Sequence, residues 1–408
     1  MHIAENSNKS VVVLEQNTLT SGSTWHAAGL ITTSGESEGM MKIKEYTRNV
    51  YKTFNEDNTS LVGWANTGSL MIARTPELWA QVLRAGFLLR QVKTIPYEIY
   101  HNIPPDLHPF LDMSQVLGAL YLPDDGIVNP ADVCLAVARR AREAGALILE
   151  HIEVTNFVRS SEGSIESVVV DREHEIECGH VVLACGQWTS QLARKHLSVH
   201  IPTAIVPHQY AIFDKISGVD NKLPVIRDYA SRTYIKPEVG SFAVGTFEAP
   251  HCEMPPICKS RNDRDVPVPR DAANELYDNV PMEKQAGGLE AAMTLIPKLG
   301  EVGLKTCIHG PDTHSADHCP IVGFVGDAVP NLLVGTGFNS QGIQAGVGIG
   351  AVLSDLICDT VTIDEDFSSM DPRRFCPDIS ADATWCTERA LEGYAETYGI
   401  HHPNVEVN

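Results

Sequence analysis

The chain has 408 residues, 43% of them hydrophobic, so it can bury a large core and form one two-lobed unit or two domains. Its formal net charge of -21 and its pI of about 5.1 argue against nucleic acid or an anionic membrane as partner, because both would repel it. No run of about 18 apolar residues, no C-x-x-C pair and no zinc-spaced cluster is present, so we expect no membrane span, disulfide framework or metal.

The first predicted element is a buried strand, SVVVLE, at residues 10–15. Glu15 at its carboxyl end could accept hydrogen bonds from an adenosine ribose, although an exposed acid at a strand end is the commoner explanation of a single glutamate. A dinucleotide-binding unit also needs a strand, a G-x-G-x-x-G turn and a helix before that acid, about 30 residues in all. Only fourteen residues precede Glu15 and none is glycine, so we expect the phosphate-binding turn to be missing here and encoded upstream in a full transcript.

Helices and strands then alternate, which predicts an α/β fold with a sheet-rich lobe inserted into it. We predict helices at about 35–55, 76–92, 130–146, up to about 297, after the glycine turn at 335, and at 381–398. We predict strands within 67–75, 117–123, 147–158, 164–171, 180–186, 209–214, 232–237, 241–248 and 331–335.

Small residues surround one imidazole in LTSGSTWHAAGL, residues 19–30, directly after the first strand. Small residues allow the backbone to approach a bulky planar cofactor closely. A lone histidine such as His26 is more often a surface or core residue, so its context decides the interpretation.

That context is a family resemblance: GSTWHAAGL, residues 22–30, resembles the flavinylation segment of the sarcosine and dimethylglycine dehydrogenase family. The matching histidine of that family is bonded to the flavin 8α-methyl, which implies FAD bound covalently through His26. Six further segments resemble the family in the same order, and together they cover nearly the whole chain. They are 63–73, 117–133, 181–188, 224–249, 310–323 and 335–350.

The resemblance, together with Glu15 from the strand pattern, predicts a set of cofactor-binding residues. The glycine-rich turn before the last long helix offers backbone N–H groups and a positive helix end to the anionic edge of a reduced flavin, although a tight packing turn is the alternative. The predicted residues are Glu15, Gly22, Ser23, Thr24, Trp25, His26, Ala27, Ala28, Gly29, Leu30, Val154, Trp188, Gly337, Phe338, Asn339, Ser340, Gln341 and Gly342.

A small amino-acid carboxylate with an N-methyl group needs a cation and aromatic walls. The candidates are His208, Tyr210, Arg227, Tyr234 and Glu248. Arg227 could clamp the carboxylate or form an ion pair with the neighbouring Asp228. His208 could orient the substrate amine or serve packing alone.

The resemblance also implies a domain arrangement, in which a discontinuous, N-terminally truncated Rossmann-like FAD-binding domain carries an inserted antiparallel-sheet substrate domain. The FAD-binding domain is expected to comprise residues 1–65, 128–200 and 297–365, and the substrate domain residues 66–127 and 201–296. Residues 366–408 are expected to form a linker towards a folate-binding half that this sequence lacks.

The implied reaction is oxidation of an N-methyl C–H bond by hydride transfer to flavin N5, followed by hydrolysis to the demethylated amine and formaldehyde. Sarcosine is the expected substrate and dimethylglycine the second choice. The family further implies an electron-transfer flavoprotein as acceptor, a mitochondrial matrix location, and tetrahydrofolate only with the second half. The alternatives are a non-enzymatic regulatory subunit like that of pyruvate dehydrogenase phosphatase, which lacks the anchoring histidine, and an inactive truncated isoform.

Overall fold

The computed structural model describes residues 1–35, 37–56, 61–247 and 282–397. The helices are α1 (His2–Asn6), α2 (Glu38–Glu56), α3 (Pro76–Val92), α4 (Pro130–Glu143), α5 (Thr189–Leu197), α6 (Met282–Leu295), α7 (Gly342–Cys358), α8 (Pro377–Ser380) and α9 (Ala383–Glu396). The strands are β1 (Val12–Leu14), β2 (Leu30–Ile31), β3 (Ser69–Ala73), β4 (Glu98–Tyr100), β5 (Gly118–Leu122), β6 (Gly126–Ile127), β7 (Leu147–Leu149), β8 (Val154–Arg159), β9 (Ile165–Val170), β10 (His174–Glu177), β11 (Val181–Leu183), β12 (Thr203–Phe213), β13 (Val225–Asp228), β14 (Thr233–Glu238), β15 (Ser241–Thr246), β16 (Leu304–Ser315), β17 (Ile321–Phe324) and β18 (Leu332–Thr336).

Local sequence explains where the well-predicted helices begin. Thr75 caps α3 by accepting a hydrogen bond from the Leu78 N–H, and Pro76 occupies the first helical turn, where its missing N–H costs nothing. Asn129 caps α4 in the same way, ahead of Pro130. Both predicted helix starts are therefore confirmed.

The first lobe contains a three-stranded antiparallel sheet of β8, β9 and β10 and two further sheet fragments with parallel pairs. The strands β1 and β7 pair in parallel, and β11 pairs in parallel with β18, which pairs antiparallel with β17. The helix α7 packs closely on α2, because Gly348 has no side chain: a Cβ there would lie 2.5 Å from the Ile43 carbonyl oxygen. The short helix α1, which the sequence pattern did not predict, packs on α7.

The two fragments face each other across a cleft. Lys9, ahead of β1, lies close enough to His180, ahead of β11, to assist burial in lowering the pKa of that histidine. Beyond the opposite strand ends, burial and then the charge of Glu15 raise the pKa of Cys185 to about 11. Within the described residues β1 pairs only with β7 and β11 only with β18, and both strands line the cavity described below.

An eight-stranded sheet forms the second lobe, in the order β16-β12-β15-β14-β13-β3-β5-β4. The pair β13 and β3 is parallel and the other neighbours are antiparallel, so this sheet is mixed and the prediction of a wholly antiparallel sheet is wrong for one pair. The strand β16 also belongs to this eight-stranded sheet, whereas the sequence predicts that residues 297–365 belong to the FAD-binding domain. Moving that boundary to about residue 316 follows from the pairing of β16 with β12. A core that includes Phe213, Phe242 and Leu295 packs between the sheet and α6.

Among the described residues, none of the helices has both the length and the apolar content that a bilayer crossing requires. The same residues contain no group of three or more histidine, cysteine, aspartate or glutamate side chains placed to hold a metal ion.

Candidate functional site

A cavity of about 2320 Å³ runs between the two lobes. At one extreme, here called the strand end, its walls include β1 with the residue before it, at 11–14, and β11 with the two residues after it, at 181–185. At the other, here called the polar end, its walls include His208, Arg227, Tyr234, Phe247 and Asp312. Pockets for ordinary small molecules measure about 300–1,000 Å³, so this cavity has room for a ligand as long as a dinucleotide.

His26 lies in the cavity wall and is 8% exposed. Its ring packs over Gly310, where a Cβ would come within 2.6 Å of the ring, so the site requires glycine there. Burial lowers the pKa of His26 to about 4, although the Asp312 carboxylate opposes this shift. The imidazole is therefore neutral at physiological pH. The neighbouring Trp25 contacts the His26 ring edge-on but is 42% exposed and is not part of the cavity wall.

The rest of the predicted segment does line the cavity. The Ser23 hydroxyl donates to the Pro311 carbonyl oxygen at 2.7 Å, which fixes the loop against β16. Gly29 has φ +74°, and a Cβ there would lie 2.2 Å from the Val128 carbonyl oxygen. Only glycine satisfies both constraints. The other members of the segment in the wall are Gly22, Thr24, Ala27, Ala28 and Leu30.

The glycine turn ahead of α7 also borders the cavity, as predicted for residues 337–342. Gly337, Asn339 and Ser340 have positive φ angles, so the turn is tight, and no side chain caps the N-terminus of α7. The Asn339 carboxamide accepts from the Ser315 N–H at 2.9 Å, which is a structural role in holding the turn on β16. Phe338 also lies in the wall.

Two glutamine oxygens support the presence of a polar ligand beside this turn. The Oε1 atoms of Gln187 and Gln341 are buried, and neither has a hydrogen-bond partner in the described part of the chain. Both residues line the cavity. Because buried polar atoms in folded proteins almost always have a partner, a ligand with donor groups fits this place, as the edge of a flavin ring would.

The strand end fits the nucleotide half of that cofactor less well. Glu15 lies there as predicted, with one carboxylate oxygen accepting from the Asn17 N–H at 2.7 Å. Val154 and Trp188 also line the cavity. The described residues place no glycine-rich turn between β1 and β11, where a pyrophosphate would need backbone N–H groups.

Asp312 links the groups of the polar end. The Ser340 hydroxyl donates to its Oδ2 at 2.5 Å, and His314 Nε2 lies 3.3 Å from the same oxygen. Burial acts to raise the pKa of Asp312, but the contacts from His314 and Ser340 prevail and hold it below its usual range. The carboxylate also affects the pKa of both His26 and His208, so it lies within electrostatic reach of each.

His208 is held between two tyrosines. Its Nδ1 lies 3.0 Å from the Tyr394 hydroxyl and its Nε2 lies 3.4 Å from the Tyr234 hydroxyl. Burial, followed by weaker effects of neighbouring charges, lowers the pKa of His208 to about 4. The Tyr234 ring lies over Gly245 on the adjacent strand, where a Cβ would sit 2.0 Å from Cζ.

Arg227 points into the cavity and is 9% exposed. Its Nη1 donates to the Ser34 hydroxyl at 2.6 Å and its Nη2 donates to the Tyr229 hydroxyl at 2.5 Å. The alternative of an ion pair with Asp228 is wrong, because successive residues of a strand face opposite sides. Asp228 is instead bound by Arg74 at 3.2 Å.

Of the two remaining candidates, only Tyr210 lies among the described residues. Tyr210 packs against the aromatic cluster around Tyr234 without lining the cavity, and burial and then Glu238 raise its pKa to about 12. Glu248 lies outside the described residues.

The sequence interpretation missed four contributors: Asp312, Gly245, Ser34 and Tyr394. A signal existed for the first, since HGPDTHSADH places an acid among three histidines on a predicted family segment. Nothing in the sequence signalled Tyr394, because α9 lies in a segment interpreted as a linker, whereas it packs on β12 and β16.

Comparisons with known proteins identify relatives of the chain. Residues 1–356 match the family model described as FAD dependent oxidoreductase, and residues 363–408 match the model described as FAD dependent oxidoreductase central domain. The chain is 30% identical to mouse mitochondrial sarcosine dehydrogenase over 99% of its length and 31% identical to human mitochondrial dimethylglycine dehydrogenase over 98%. It is also 30% identical to the formaldehyde-forming 4-methylaminobutanoate oxidase of Paenarthrobacter nicotinovorans over its whole length.

The chain spans less than half of these curated relatives, covering 43%, 45% and 47% of them respectively. A weaker match is mouse pyruvate dehydrogenase phosphatase regulatory subunit, 28% identical over 87% of the chain and 39% of that protein. Among solved structures, the chain superposes on L-proline dehydrogenase from P. horikoshii with a TM-score of 0.76 and on glycine oxidase from Geobacillus kaustophilus with 0.71. These share 20% and 19% identity and each covers 92% of the chain, with 93% and 94% of the solved chains covered. The predicted resemblance and the predicted α/β fold class are confirmed.

Proposed function

The chain belongs to the FAD-dependent oxidoreductase family, and on that premise we propose that it catalyses oxidative N-demethylation of a small N-methylated amino acid. Sarcosine is the preferred substrate and dimethylglycine the second choice. The products are the demethylated amine, glycine in the case of sarcosine, and formaldehyde. Bound FAD would supply the hydride acceptor for the N-methyl C–H bond.

The observation that carries this proposal is that one cavity wall contains both a cation, the Arg227 guanidinium, and a neutral imidazole, that of His208. The Arg227 guanidinium keeps its charge at any physiological pH and can bind a carboxylate with two parallel hydrogen bonds. Ser34 and Tyr229 are neutral partners that orient the guanidinium, and the buried Asp125 carboxylate lies within its electrostatic reach. A compact amino acid can therefore present its carboxylate to Arg227 and its amine towards His208.

The amine must lose its proton before the methyl group is oxidised, because the nitrogen lone pair drives hydride departure. His208 is neutral at physiological pH, since its pKa is about 4, so its unprotonated nitrogen can accept a hydrogen bond from the amine. Tyr234 and Phe247 line the cavity beside His208: the Tyr234 hydroxyl lies 3.4 Å from Nε2, and the Phe247 ring centroid lies 4.8 Å from that of the imidazole. These rings give the methylamine an apolar wall with one polar contact.

We further propose that His26 carries FAD covalently. Its position in the wall and its neutral imidazole suit attack on an electrophilic methyl group, because only the unprotonated nitrogen has a free lone pair. The relatives suggest three extensions: an electron-transfer flavoprotein as acceptor, tetrahydrofolate as one-carbon acceptor where a folate-binding half is present, and a mitochondrial matrix location. The bacterial relative shows that the last does not hold across the family.

Acid precipitation of the purified protein, incubated with FAD, tests the covalent link. We expect the yellow colour to stay with the wild-type polypeptide and to be lost from His26→Ala. The matched control is Trp25→Phe, next in the chain but outside the cavity wall, which should stay yellow. A colourless wild type that turns over none of the substrates below would contradict the enzymatic proposal and favour the regulatory-subunit alternative.

Turnover with an artificial electron acceptor and formaldehyde detection then selects the substrate. Sarcosine, dimethylglycine and 4-methylaminobutanoate should be compared, because the three relatives act on these chemically related amines by name. A higher kcat/KM for sarcosine supports the preference proposed here. A higher value for 4-methylaminobutanoate would show that Arg227 accepts a carboxylate further from the methylamine.

A further inference from the structure

The C-terminal helix α9 places one tyrosine, Tyr394, behind the cavity wall. Tyr394 is 3% exposed and does not line the cavity. Its ring packs edge-on against His208, with centroids 5.9 Å apart, and against His314 at 5.3 Å. It contacts His208 across 186 residues of sequence, so α9 is packed directly against the polar end.

The contacts of the Tyr394 hydroxyl indicate which group donates a proton in each hydrogen bond. It lies 3.3 Å from the Thr246 carbonyl oxygen, which can only accept, and so it donates its single proton there. Its oxygen is then the acceptor for Nδ1 of His208 at 3.0 Å. A neutral imidazole has one N–H, so this contact places the proton on Nδ1 and leaves the lone pair on Nε2.

The lone pair on Nε2 faces the Tyr234 hydroxyl at 3.4 Å, on the cavity side of the ring. We propose that Tyr394 is a positioning residue, which holds His208 as the Nδ1–H tautomer and so keeps Nε2 an acceptor towards the cavity. It touches neither substrate nor cofactor. The role in turnover rests on the proposed function, whereas the tautomer assignment does not.

Other titratable groups near His208 influence its protonation from several elements. Asp312, His314 and His309 act from β16, and His26 acts from the loop that follows β1. Asp312 favours the protonated form, whereas the three histidines disfavour it. None of these charges distinguishes Nδ1 from Nε2 as the hydroxyl of Tyr394 does, because that hydroxyl contacts one nitrogen only.

The first test reads the tautomer without any turnover. Nitrogen-15 spectra of the histidine-labelled protein, with His208 assigned by its loss in His208→Asn, should show the Nδ1–H tautomer in the wild type. In Tyr394→Phe the ring packing stays but the acceptor is gone, so the signal should move towards the Nε2–H tautomer. An unchanged tautomer in Tyr394→Phe would overturn the proposal.

The second test reads catalysis. Tyr394→Phe should lower kcat/KM for the amine by about tenfold, with its acid limb shifted, at unchanged FAD content. The matched control is Tyr51→Phe, which removes another buried hydroxyl bonded to a backbone carbonyl, that of Ile343. Ile343 lines the cavity, but Tyr51 does not and has no contact with His208 among the described hydrogen bonds. This control variant should lose a similar amount of thermal stability and keep its pH profile. Identical pH profiles in the two variants would contradict the positioning role.

The two proposals fail separately. If the wild type has the predicted tautomer but oxidises no N-methylated amino acid, the proposed function is wrong and the assignment of Tyr394 to His208 stands. If the wild type is active and Tyr394→Phe changes neither tautomer nor kcat/KM, the inference fails alone.

Discussion

The polar end and the strand end of the same cavity are built in opposite ways. At the polar end, Asp312 accepts a hydrogen bond from Ser340 of the glycine turn, and His208 is fixed between two tyrosines. At the strand end, Val12 and Val13 are 41% and 40% exposed, and in the described chain β1 pairs only with β7 and β11 only with β18. The difference shows that the side chains of the polar end are fixed by contacts that do not involve the strand end.

Adding a nucleotide-binding unit at the strand end should have the largest effect on the difference between the two ends of the cavity. A strand, a G-x-G-x-x-G turn and a helix fused directly ahead of His2 would supply backbone N–H groups and a helix N-terminus for the pyrophosphate. We expect FAD to bind about a hundredfold more tightly, as measured by fluorescence quenching.

The control for that fusion is the same unit with its turn glycines replaced by valine. It can still add the strand and cover Val12 and Val13, so its thermal stability should rise without the gain in FAD affinity. The two fusions differ only in the glycines of the turn. Equal FAD affinity in both would therefore show that phosphate binding does not depend on that turn.

A single methyl group should disturb the polar end. In Gly245→Ala the new Cβ would overlap the Tyr234 ring, from which it would be 2.0 Å away, so the ring must leave its place beside His208. We expect a loss of about 1–3 kcal/mol in unfolding free energy, measured by urea denaturation, and a fall in kcat/KM.

Gly287→Ala in α6 is the matched control, because nothing lies within 4 Å of its Cβ position. A helical glycine replaced by alanine should gain about 0.5–1 kcal/mol instead. If Gly245→Ala were as stable as the wild type, the close packing of Tyr234 on β15 would be wrong.

Acid should weaken the molecule by a smaller amount, and mainly at the polar end. Burial lowers the pKa of His26, His108 and His208 to about 4, and two of the three lie at the cavity. Because the unfolded chain binds these protons below about pH 6.5 and the folded chain does not, stability is greatest above that pH and falls as the pH drops towards about 4.

Thermal melting between about pH 7 and about pH 5 measures this effect, and we expect the midpoint to fall by several degrees. His108→Leu separates the two locations, since His108 packs on Phe242 beneath the large sheet. That variant should keep most of the pH slope. A flat profile in the wild type would mean that the histidines are not held neutral.

The sequence predicted those elements whose signals are local. The limits of α3 follow from a capping threonine and a proline at its start, and the order of strand, glycine turn and helix at the end of the first lobe follows from NLLVGTG. The signal of the predicted flavin segment is local too. Small residues are needed where its backbone passes close to other groups, as Gly29 does, and this segment lines the cavity.

Contacts between distant segments could not be predicted in this way. The pairing of Tyr234 with Gly245 depends on strand register, and the contact of Tyr394 with His208 depends on how α9 docks. The two adjacent charges of β13 were ambiguous in sequence, and only the strand geometry sends Arg227 to the cavity and Asp228 to Arg74. Tertiary packing decided each of these cases.

The placement of Arg227 and Asp312 in one cavity wall has a consequence for how a substrate enters. An amino acid arrives as a zwitterion, and a fixed positive group and a fixed negative group set up a field across the chamber that aligns such a dipole. If the substrate is the N-methylated amino acid proposed above, its carboxylate would lead towards the arginine and its ammonium towards the aspartate, and the reversed pose would be repelled at both ends. Simple methylamines, which have no carboxylate, would not be held in one orientation in this cavity.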